Sequence, residues 1–243
     1  MRNMLTMMQR EVGAFFASPV LWVLAAGFLA FYGLVFASYV SQGQQAVQAE
    51  MAPLLGLIGT ILLFVTPLLS MRLLAEEQRS GTLELLMTSP VRDWQVIVGK
   101  WMAALIALAV IIGLTLVHVA IMYNLATNGM ETGSLISSYV GVALLGAALL
   151  AIGTLTSSLT ENQVVAAFLG IMVVMVLWFL PFLAEVPGAD TTLGKILTYA
   201  GLSEHYLNFG EGAIDTRDVV YFVTLTVGAL YLATRALETR RWR

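Results

Sequence analysis

Charged residues leave six long gaps along the chain, at 12–49, 51–71, 101–130, 132–160, 162–184 and 219–234. Because a charge at the centre of a bilayer is costly, each gap is a candidate membrane span. Five gaps hold the roughly 20 apolar residues that a helix needs to cross the hydrocarbon. The sixth lengthens if Arg235 snorkels to the headgroups. The pattern predicts six transmembrane helices, at about 19–40, 53–74, 99–123, 138–158, 164–184 and 218–237.

Prolines and short polar residues predict where these helices begin and bend. Pro19 and Pro53 suit a first helical turn, where the missing N–H costs nothing. Pro67 lies inside the second span, so we expect a kink there and treat Pro67 as a candidate hinge. Before the sixth span, Asp215 is the predicted N-cap and Asp218 occupies the third helical position.

Composition agrees with a membrane protein and excludes several other classes. Hydrophobic residues make up 59% of the chain and charged residues 11%, and the mean hydropathy is +0.85. A typical soluble domain has roughly 45–50% and about 25%. This excludes an ordinary soluble enzyme, a disordered chain and a collagen-like fibre. The absence of cysteine from the sequence excludes a disulfide framework and a thiolate nucleophile. The first apolar stretch is too long for a cleaved signal peptide.

The distribution of Lys and Arg predicts the orientation. With six spans both termini lie on one side, and that side carries ten basic residues: Arg2, Arg10, Arg72, Arg79, Arg92, Lys100, Arg235, Arg240, Arg241 and Arg243. The other side carries only Lys195 and Arg217. We therefore expect both termini to be cytoplasmic. No basic run of the kind that binds nucleic acid is present in the sequence.

Three segments outside the spans have patterns of their own. Residues 2–17 place Leu5, Met8, Val12 and Phe16 on one stripe, which predicts a helix lying in the inner interface; a simple extension of the first span is the alternative. The outer segment, 185–217, predicts two short helices. The first is amphipathic and the second is capped by Ser203; the residues used are Leu193, Ile196, Leu197, Tyr199 and Ser203.

The inner segment between the second and third spans predicts a short amphipathic helix under the membrane. Glu76, Glu77 and Arg79 come first, and Ser80-Gly81 breaks the helix. The chain then places three apolar side chains on one side before a new helix starts at Ser89-Pro90; they are Leu83, Leu86 and Met87. Spacing alone leaves two interpretations open: a helix resting on the bilayer, or a docking element for a cytoplasmic partner.

Motifs for chemistry are missing from the sequence. It has no GxxxxGK[ST] phosphate loop, no GxSxG and no HExxH. An intramembrane hydrolase would need a serine facing a histidine in mid-membrane. His118 falls toward the outer end of the third span, whereas Ser157 and Ser158 fall near the inner end of the fourth. We expect His118 to be a hydrogen-bonded packing residue. No ionisable residue falls near the middle of a predicted span, which disfavours ion-coupled transport.

Small residues recur at four-residue spacing in the fourth span, at Ala143, Ala147 and Ala151. Such a pattern lets helices approach closely, within the bundle or across a dimer. We expect packing within the bundle.

Three stretches, together covering most of the chain in order, resemble a known family. They are Glu76-Glu77-Gln78-Arg79-Ser80-Gly81-Thr82-Leu83-Glu84-Leu85-Leu86 through Ser89-Pro90-Val91 to Gly99-Lys100; Ser157-Ser158-Leu159-Thr160-Glu161-Asn162-Gln163-Val164-Val165-Ala166; and Ser203-Glu204-His205-Tyr206 through Asp215 and Asp218 to Glu238-Thr239-Arg240-Arg241-Trp242. They resemble the membrane permease subunits of ABC transporters of the ABC-2 export class, most of all the gliding-motility branch (GldF-type).

The resemblance implies an all-α integral membrane domain over residues 1–243. It implies six spans, an interfacial N-terminal helix, a cytoplasmic coupling helix at 76–90 and short re-entrant outer helices before the last span. It also implies a bacterial inner-membrane location and pairing with a second copy or a related permease. Two cytoplasmic ABC ATPase subunits would carry ATP and Mg, with no cofactor and no catalytic residue on this chain. The implied ATPase-docking residues are Glu76, Glu77, Arg79, Gly81, Thr82, Leu83, Glu84, Leu86, Met87 and Pro90, with Glu161 and Asn162 in a second, smaller contact.

The function implied is that of a permease subunit of an ATP-driven exporter. A mechanotransmission subunit, which passes ATPase work to periplasmic partners without moving a substrate, is the alternative. An intramembrane hydrolase is a third hypothesis.

Overall fold

The computed structural model describes residues 2–42, 52–82, 92–125, 132–186, 188, 191–212 and 214–241, and these residues form helices joined by short turns. In the described part of the chain the α-helices are α1 (Arg2–Ala17), α2 (Pro19–Ser41), α3 (Ala52–Ser70), α4 (Arg72–Ser80), α5 (Asp93–Leu114), α6 (Leu116–Leu125), α7 (Thr132–Leu159), α8 (Gln163–Ala184), α9 (Thr192–Ala200), α10 (Leu202–Asn208) and α11 (Thr216–Arg241). A 3₁₀ turn, Phe209–Glu211, follows α10.

Six helical stretches among the described residues are long and apolar enough to cross a membrane. They are Pro19–Ser41, Pro53–Ser80, Asp93–Leu125, Thr132–Leu159, Gln163–Ala184 and Thr216–Thr239. The predicted all-α fold with six spans is confirmed. The second and third stretches are longer than the charge gaps predicted, because the helices extend past the apolar core through polar residues at 75–80 and 93–98.

Of the helix caps, Asp215 is the one that was predicted and confirmed, Ser18 is a cap that was not predicted, and Ser203 differs from its prediction. The Ser18 hydroxyl accepts the Val20 amide 3.3 Å away at the start of α2. The Asp215 carboxylate accepts the Arg217 amide at 2.8 Å at the start of α11. Ser203 does not cap α10, whose N-cap is Gly201. The Ser203 hydroxyl donates instead to the Trp178 carbonyl at 2.9 Å, because α10 packs against the end of α8.

His118 packs by ring contacts rather than by the hydrogen bond we expected. Its ring lies edge-on to Tyr32 and Phe36, with centroid distances of 5.0 and 4.8 Å. Its Nδ1 is buried without a hydrogen-bond partner among the described residues. The expected hydrogen bond is therefore wrong, because two aromatic rings of α2 occupy the space beside the imidazole.

Helix α7 lies at the centre of the bundle and contacts α3, α4, α5, α8, α10, α11 and the 3₁₀ turn. Its closest approach to α3 is at Gly153. A Cβ at this position would overlap the Ser70 hydroxyl and would lie 2.8 Å from the Ser70 Cβ. Only glycine leaves room for the two helices at this distance.

Only part of the alanine pattern in α7 is buried inside the helix bundle. Ala151 is buried, Ala147 is half-buried and Ala143 is exposed. The expectation that all three pack within the bundle is wrong for Ala143, because the spacing of four residues drifts around the helix and away from the buried face. Close contacts at this face are made by glycines, with Gly141 against Phe209 and Gly146 against Leu108.

Replacing Gly153 by Ala tests the close contact between α7 and α3. In an open helical position Gly→Ala stabilises by roughly 0.5–1 kcal/mol. At Gly153 the added methyl meets Ser70, so we expect a loss of about 1–3 kcal/mol in the free energy of unfolding. Steric trapping in bicelles measures this difference.

Gly27 supplies the matched control, since a Cβ there meets nothing within 4 Å. Gly27→Ala should leave stability unchanged or raised. The swap Gly153→Ala with Ser70→Gly should recover most of the loss. An unchanged stability of Gly153→Ala alone would contradict the packing argument.

Candidate coupling site at the basic end of the bundle

One end of the bundle, here called the basic end, carries α1, α4, the start of α5 and the turn from α7 to α8. The other, the acidic end, carries α9, α10 and the start of α11. The site predicted for a partner lies at the basic end, where the second span is interrupted between α3 and α4 at Met71.

The Ser157 hydroxyl of α7 lies within this interruption. It donates to the Met71 carbonyl at 2.9 Å and accepts the amides of Leu74 and Ala75 at 3.0 and 3.1 Å. In an uninterrupted helix, the Met71 carbonyl and the Ala75 amide would be i, i+4 partners. A side chain inserted between such partners is a recognised cause of a helix break. Helix α4 is thereby attached to the end of α7.

Pro67 precedes the interruption by one turn. The Met71 amide still donates to the Pro67 carbonyl at 2.9 Å. A Cβ at Gly170 of α8 would lie 3.1 Å from the Pro67 Cβ, so the proline ring is packed closely against α8. The role of Pro67 as a hinge stays a prediction, and the break that it was expected to cause lies at Met71, where Ser157 enters.

A second contact joins α4 to the turn after α7. The side-chain amide of Gln78 donates to the Ser158 carbonyl at 3.0 Å. Asn162 begins α8 as its N-cap and accepts the amides of Val164 and Val165 at 2.9 and 3.4 Å. The two segments predicted to dock on an ATPase, 76–82 and 160–162, therefore start from one connected piece of structure.

Most of the predicted docking side chains that the structure describes lie at the surface. Glu76, Arg79 and Thr82 are exposed on α4 and just after it, and Glu161 is exposed in the turn before α8. Gly81 ends α4 with φ of 70°, a left-handed conformation that favours glycine. Five further predicted residues lie outside the described residues: Leu83, Glu84, Leu86, Met87 and Pro90. Docking itself stays a prediction for the whole set.

Glu77 differs from the exposed Glu76, which pairs with Arg72 of its own helix at 3.7 Å, because its carboxylate meets a buried ammonium. Its Oε1 lies 2.9 Å from the Lys100 Nζ of α5, and the Glu11 Oε1 of α1 lies 3.1 Å from the same nitrogen. The Lys100 side chain is 1% exposed, against 16% for Glu77 and 15% for Glu11. Glu77 is thus not free to form the rim contact expected of it, because it neutralises a buried ammonium.

Lys100 is the residue of this site that sequence reasoning missed. The sequence analysis counted it as one of ten basic-end charges that set orientation. The sequence feature that could have indicated its burial is the neighbouring Gly99. In the structure, a Cβ at Gly99 would lie 3.2 Å from the Met4 carbonyl oxygen. That close approach brings α1 against the start of α5 and places Glu11 beside Lys100. Three helices, α1, α4 and α5, are joined by one ammonium.

The same three side chains line a cavity of about 230 Å³, which Arg72 and Glu76 also border. The second oxygen of Glu77, Oε2, is buried and has no hydrogen-bond partner among the described residues. Two carboxylates on one ammonium leave a net charge of −1 at the triad. The Arg72 guanidinium at the edge of the cavity lies 2.8 Å from the Ser18 hydroxyl and 3.7 Å from the Glu76 carboxylate, so its charge is paired with that of Glu76.

The serine and histidine considered for an intramembrane hydrolase have separate surroundings. Ser157 is hydrogen-bonded to the backbone of Met71, Leu74 and Ala75, whereas His118 packs on α2. Neither arrangement activates a nucleophile.

Six apolar helices define the chain as a multi-pass membrane protein. The sequence profile described as ABC-2 family transporter protein matches residues 5–209, which is most of the chain. The chain belongs to the ABC-2 transporter family, and it is a membrane permease subunit of an ABC transporter. Members of this family are generally non-catalytic, and the ATPase activity lies in a partner. A search of curated proteins gives no match.

Replacing Lys100 by Met tests the ion triad. The substitution keeps the length of the side chain and leaves two carboxylates without their shared ammonium. Breaking a buried pair in this way is expected to lower the free energy of unfolding by about 3 kcal/mol. Denaturation in a graded SDS titration measures the loss.

The triple substitution Lys100→Met, Glu11→Gln and Glu77→Gln removes all three charges and should recover at least half of the loss. Arg79→Gln, at an exposed position on the same helix as Glu77, should change stability by no more than about 0.5 kcal/mol. Equal stability of Lys100→Met and the wild type would show that the triad does not hold the helices together.

Proposed function

We propose that this chain converts ATP hydrolysis by separate cytoplasmic ATPase subunits into movement of its own membrane helices. The observation that carries the proposal is the Ser157 junction. It attaches the exposed helix α4 to the central helix α7 at the point where α4 is separated from α3. A partner that binds α4 and displaces it would therefore displace α7 before it displaces α3.

The Ser157 junction would make α4 a lever, meaning a rigid segment that moves together with the end of α7. Its amides at Leu74 and Ala75 are held by the Ser157 hydroxyl, and Gln78 is held by the Ser158 carbonyl. Breaking these contacts in a water-poor environment would leave backbone groups unpaired, at a cost of about 1–3 kcal/mol for each. Movement of α4 together with the end of α7 as one rigid body therefore costs less free energy than separating the two segments. The interruption at Met71, with Pro67 one turn above it, is where the second span would bend.

The ion triad would transmit the movement of α4 to the neighbouring helices α1 and α5. Glu77 lies on α4, Glu11 on α1 and Lys100 on α5. Displacement of α4 would therefore change the distance from Glu77 to the ammonium that Glu11 shares. The interfacial helix and the third span would then follow α4. Such a change between two packed arrangements is the usual form of a switching transition in proteins.

The finer assignments rest on the resemblance and the charge distribution. We infer two ABC ATPase subunits, which bind ATP and Mg, and a second permease that is either another copy or a related chain. The sequence assigns ten of the twelve basic residues to the basic end, which favours a cytoplasmic position for that end and for both termini. We place the complex in a bacterial inner membrane, and the GldF-type branch and a periplasmic partner are part of this proposal.

Ser157→Ala tests the lever. The substitution removes the hydroxyl that holds α4, so the amides of Leu74 and Ala75 should exchange with solvent at least tenfold faster. ATP hydrolysis by the reconstituted complex should become uncoupled from movement of the permease. Hydrogen exchange measures the first effect, and ATPase activity with a fluorescent reporter pair on α4 and α7 measures the second.

Ser158→Ala is the matched control. Its hydroxyl bonds only to the Leu155 carbonyl of its own helix, and the carbonyl that accepts Gln78 remains. This variant should behave as the wild type in both measurements. Wild-type coupling in Ser157→Ala would refute the lever.

The double substitution Glu76→Lys and Arg79→Glu tests docking. Both side chains are exposed on α4, so reversing their charges should disturb a partner's rim contacts with little effect on folding. We expect at least a fivefold loss of ATPase subunit that purifies with the chain in mild detergent.

Glu211→Lys, exposed at the acidic end, is the control and should retain the ATPase. Full retention of the ATPase by the double variant would remove α4 from the docking surface. Absence of any ATPase from the wild-type complex under several gentle conditions would contradict the proposed function as a whole.

A further inference from the structure

A pocket of about 570 Å³ opens at the acidic end of the bundle. It lies between the end of α8, the two short helices α9 and α10, and the start of α11. Neither the family assignment nor the coupling of ATP hydrolysis uses this pocket.

The floor of the pocket is a fixed polar network. The His205 Nδ1 lies 2.5 Å from the Asp218 Oδ1, and the His205 Nε2 lies 2.9 Å from the Tyr199 carbonyl oxygen. The Asn208 amide donates to the other Asp218 oxygen at 3.1 Å, and the imidazole stacks on the Tyr221 ring at 3.9 Å. All polar atoms of His205 and Asp218 have partners, so these residues shape the pocket and leave recognition to the side chains around it.

The mouth of the pocket brings together charges of both signs. Lys195 of α9 and Arg217 of α11 line it, and they are the two basic residues that the sequence assigns to this end. Glu185, Glu204 and Asp215 line it as well. Within the part of the chain that the structure describes, neither Lys195 nor Arg217 forms an ion pair with a carboxylate. Opposite charges that surround a pocket without pairing favour a ligand that itself carries both signs.

The depth of the pocket indicates where such a ligand comes from. Pro181, Ala184 and Glu185 of its lining end one membrane span, and Asp215 precedes the next. The pocket therefore lies at the level of the lipid headgroups. Next to it, the end of α8 and helix α9 expose a run of large apolar side chains: Phe182, Leu183, Val186, Leu193 and Ile196. Acyl chains can pack on this surface while a polar headgroup enters the pocket.

We propose that this pocket binds the headgroup of a zwitterionic aminophospholipid. The phosphate lies toward Lys195 and Arg217, and the primary ammonium lies toward Glu185 and Glu204. A primary ammonium donates three hydrogen bonds to carboxylates, which a quaternary choline group cannot do. An anionic glycerol headgroup offers nothing to the two glutamates. The proposal is independent of ATPase docking, which concerns the opposite end of the bundle.

Competition between lipids tests the proposal. The full-length chain is reconstituted into nanodiscs with equal amounts of phosphatidylethanolamine, phosphatidylcholine and phosphatidylglycerol. Native mass spectrometry after release then counts the lipids that stay bound. We expect phosphatidylethanolamine to be enriched about fivefold or more over each of the other two lipids, because two charge contacts distinguish its headgroup from theirs.

Variants separate the two halves of the headgroup. Lys195→Gln with Arg217→Gln should lower the retention of all three lipids, because each of them carries the phosphate. Glu185→Gln with Glu204→Gln should abolish the preference for phosphatidylethanolamine over both other lipids, because the contacts with the ammonium are lost, and should improve binding of phosphatidylglycerol. Glu211→Gln, exposed at the same end but outside the pocket, should retain the wild-type pattern. All five substituted positions are at the surface, and thermal unfolding confirms that each variant is folded.

Two outcomes would overturn the proposal. One is equal retention of the three lipids by the wild type, or an unchanged preference in both double variants. The other is tighter binding of soluble phosphoethanolamine than of phosphatidylethanolamine, because the acyl chains would then contribute nothing. That result would assign the pocket to a free phosphate ester rather than to a membrane lipid.

Discussion

A backbone group inside a bilayer must find its hydrogen-bond partner within the protein, and this fold depends on how α7 meets that requirement. The Ser157 hydroxyl pairs with the backbone at the interruption between α3 and α4. At the other end of the same helix, Ser134 donates to the Gly210 carbonyl at 2.9 Å, and Ser138 lies 3.5 Å from the Phe209 carbonyl. One central helix thus satisfies irregular backbone at both ends of the bundle, and the irregular segments are the ones that carry the proposed functions.

The reach of these hydroxyls depends on small residues beside them. Gly153 lies four residues before Ser157 and lets α7 touch Ser70 at the end of α3. A serine side chain is short, so its hydroxyl reaches the neighbouring backbone only across such a contact. Gly141, three residues after Ser138, likewise lets α7 approach the ring of Phe209. The glycines set the distance between helices, and the serines then fix which residues face one another. The Tyr206 hydroxyl adds a further bond of this kind, to the Leu55 carbonyl; burial raises the pKa of the Tyr206 phenol, which keeps it a donor.

The sequence predicted the features that depend on one helix at a time. Gaps between charges predicted the six spans, Pro19 predicted the first turn of α2, and Asp215 predicted the cap of α11. Features that depend on two helices were missed or misjudged. Lys100 was counted as a charge that sets orientation, although its burial depends on carboxylates 89 residues before Lys100 and 23 residues before it. Spacing within one helix could not show that Glu77 turns inward, since its partner, Lys100, lies on α5.

The central helix also joins the two sites physically. Helix α7 runs without interruption from Thr132 to Leu159, which at about 1.5 Å per residue is about 42 Å, long enough to pass from one headgroup layer to the other. At the basic end it holds α4, and at the acidic end it holds the 3₁₀ turn Phe209–Glu211, which continues from the helix that lines the pocket. A straight helix fixed to both segments transmits tilt with little loss, because its backbone bonds resist bending more than side-chain contacts resist sliding. A displacement of α4 would therefore tilt α7, and the contacts of Ser134 and Ser138 would transmit this tilt to the pocket. No other helix between the proposed ATPase site and the proposed lipid site would need to change.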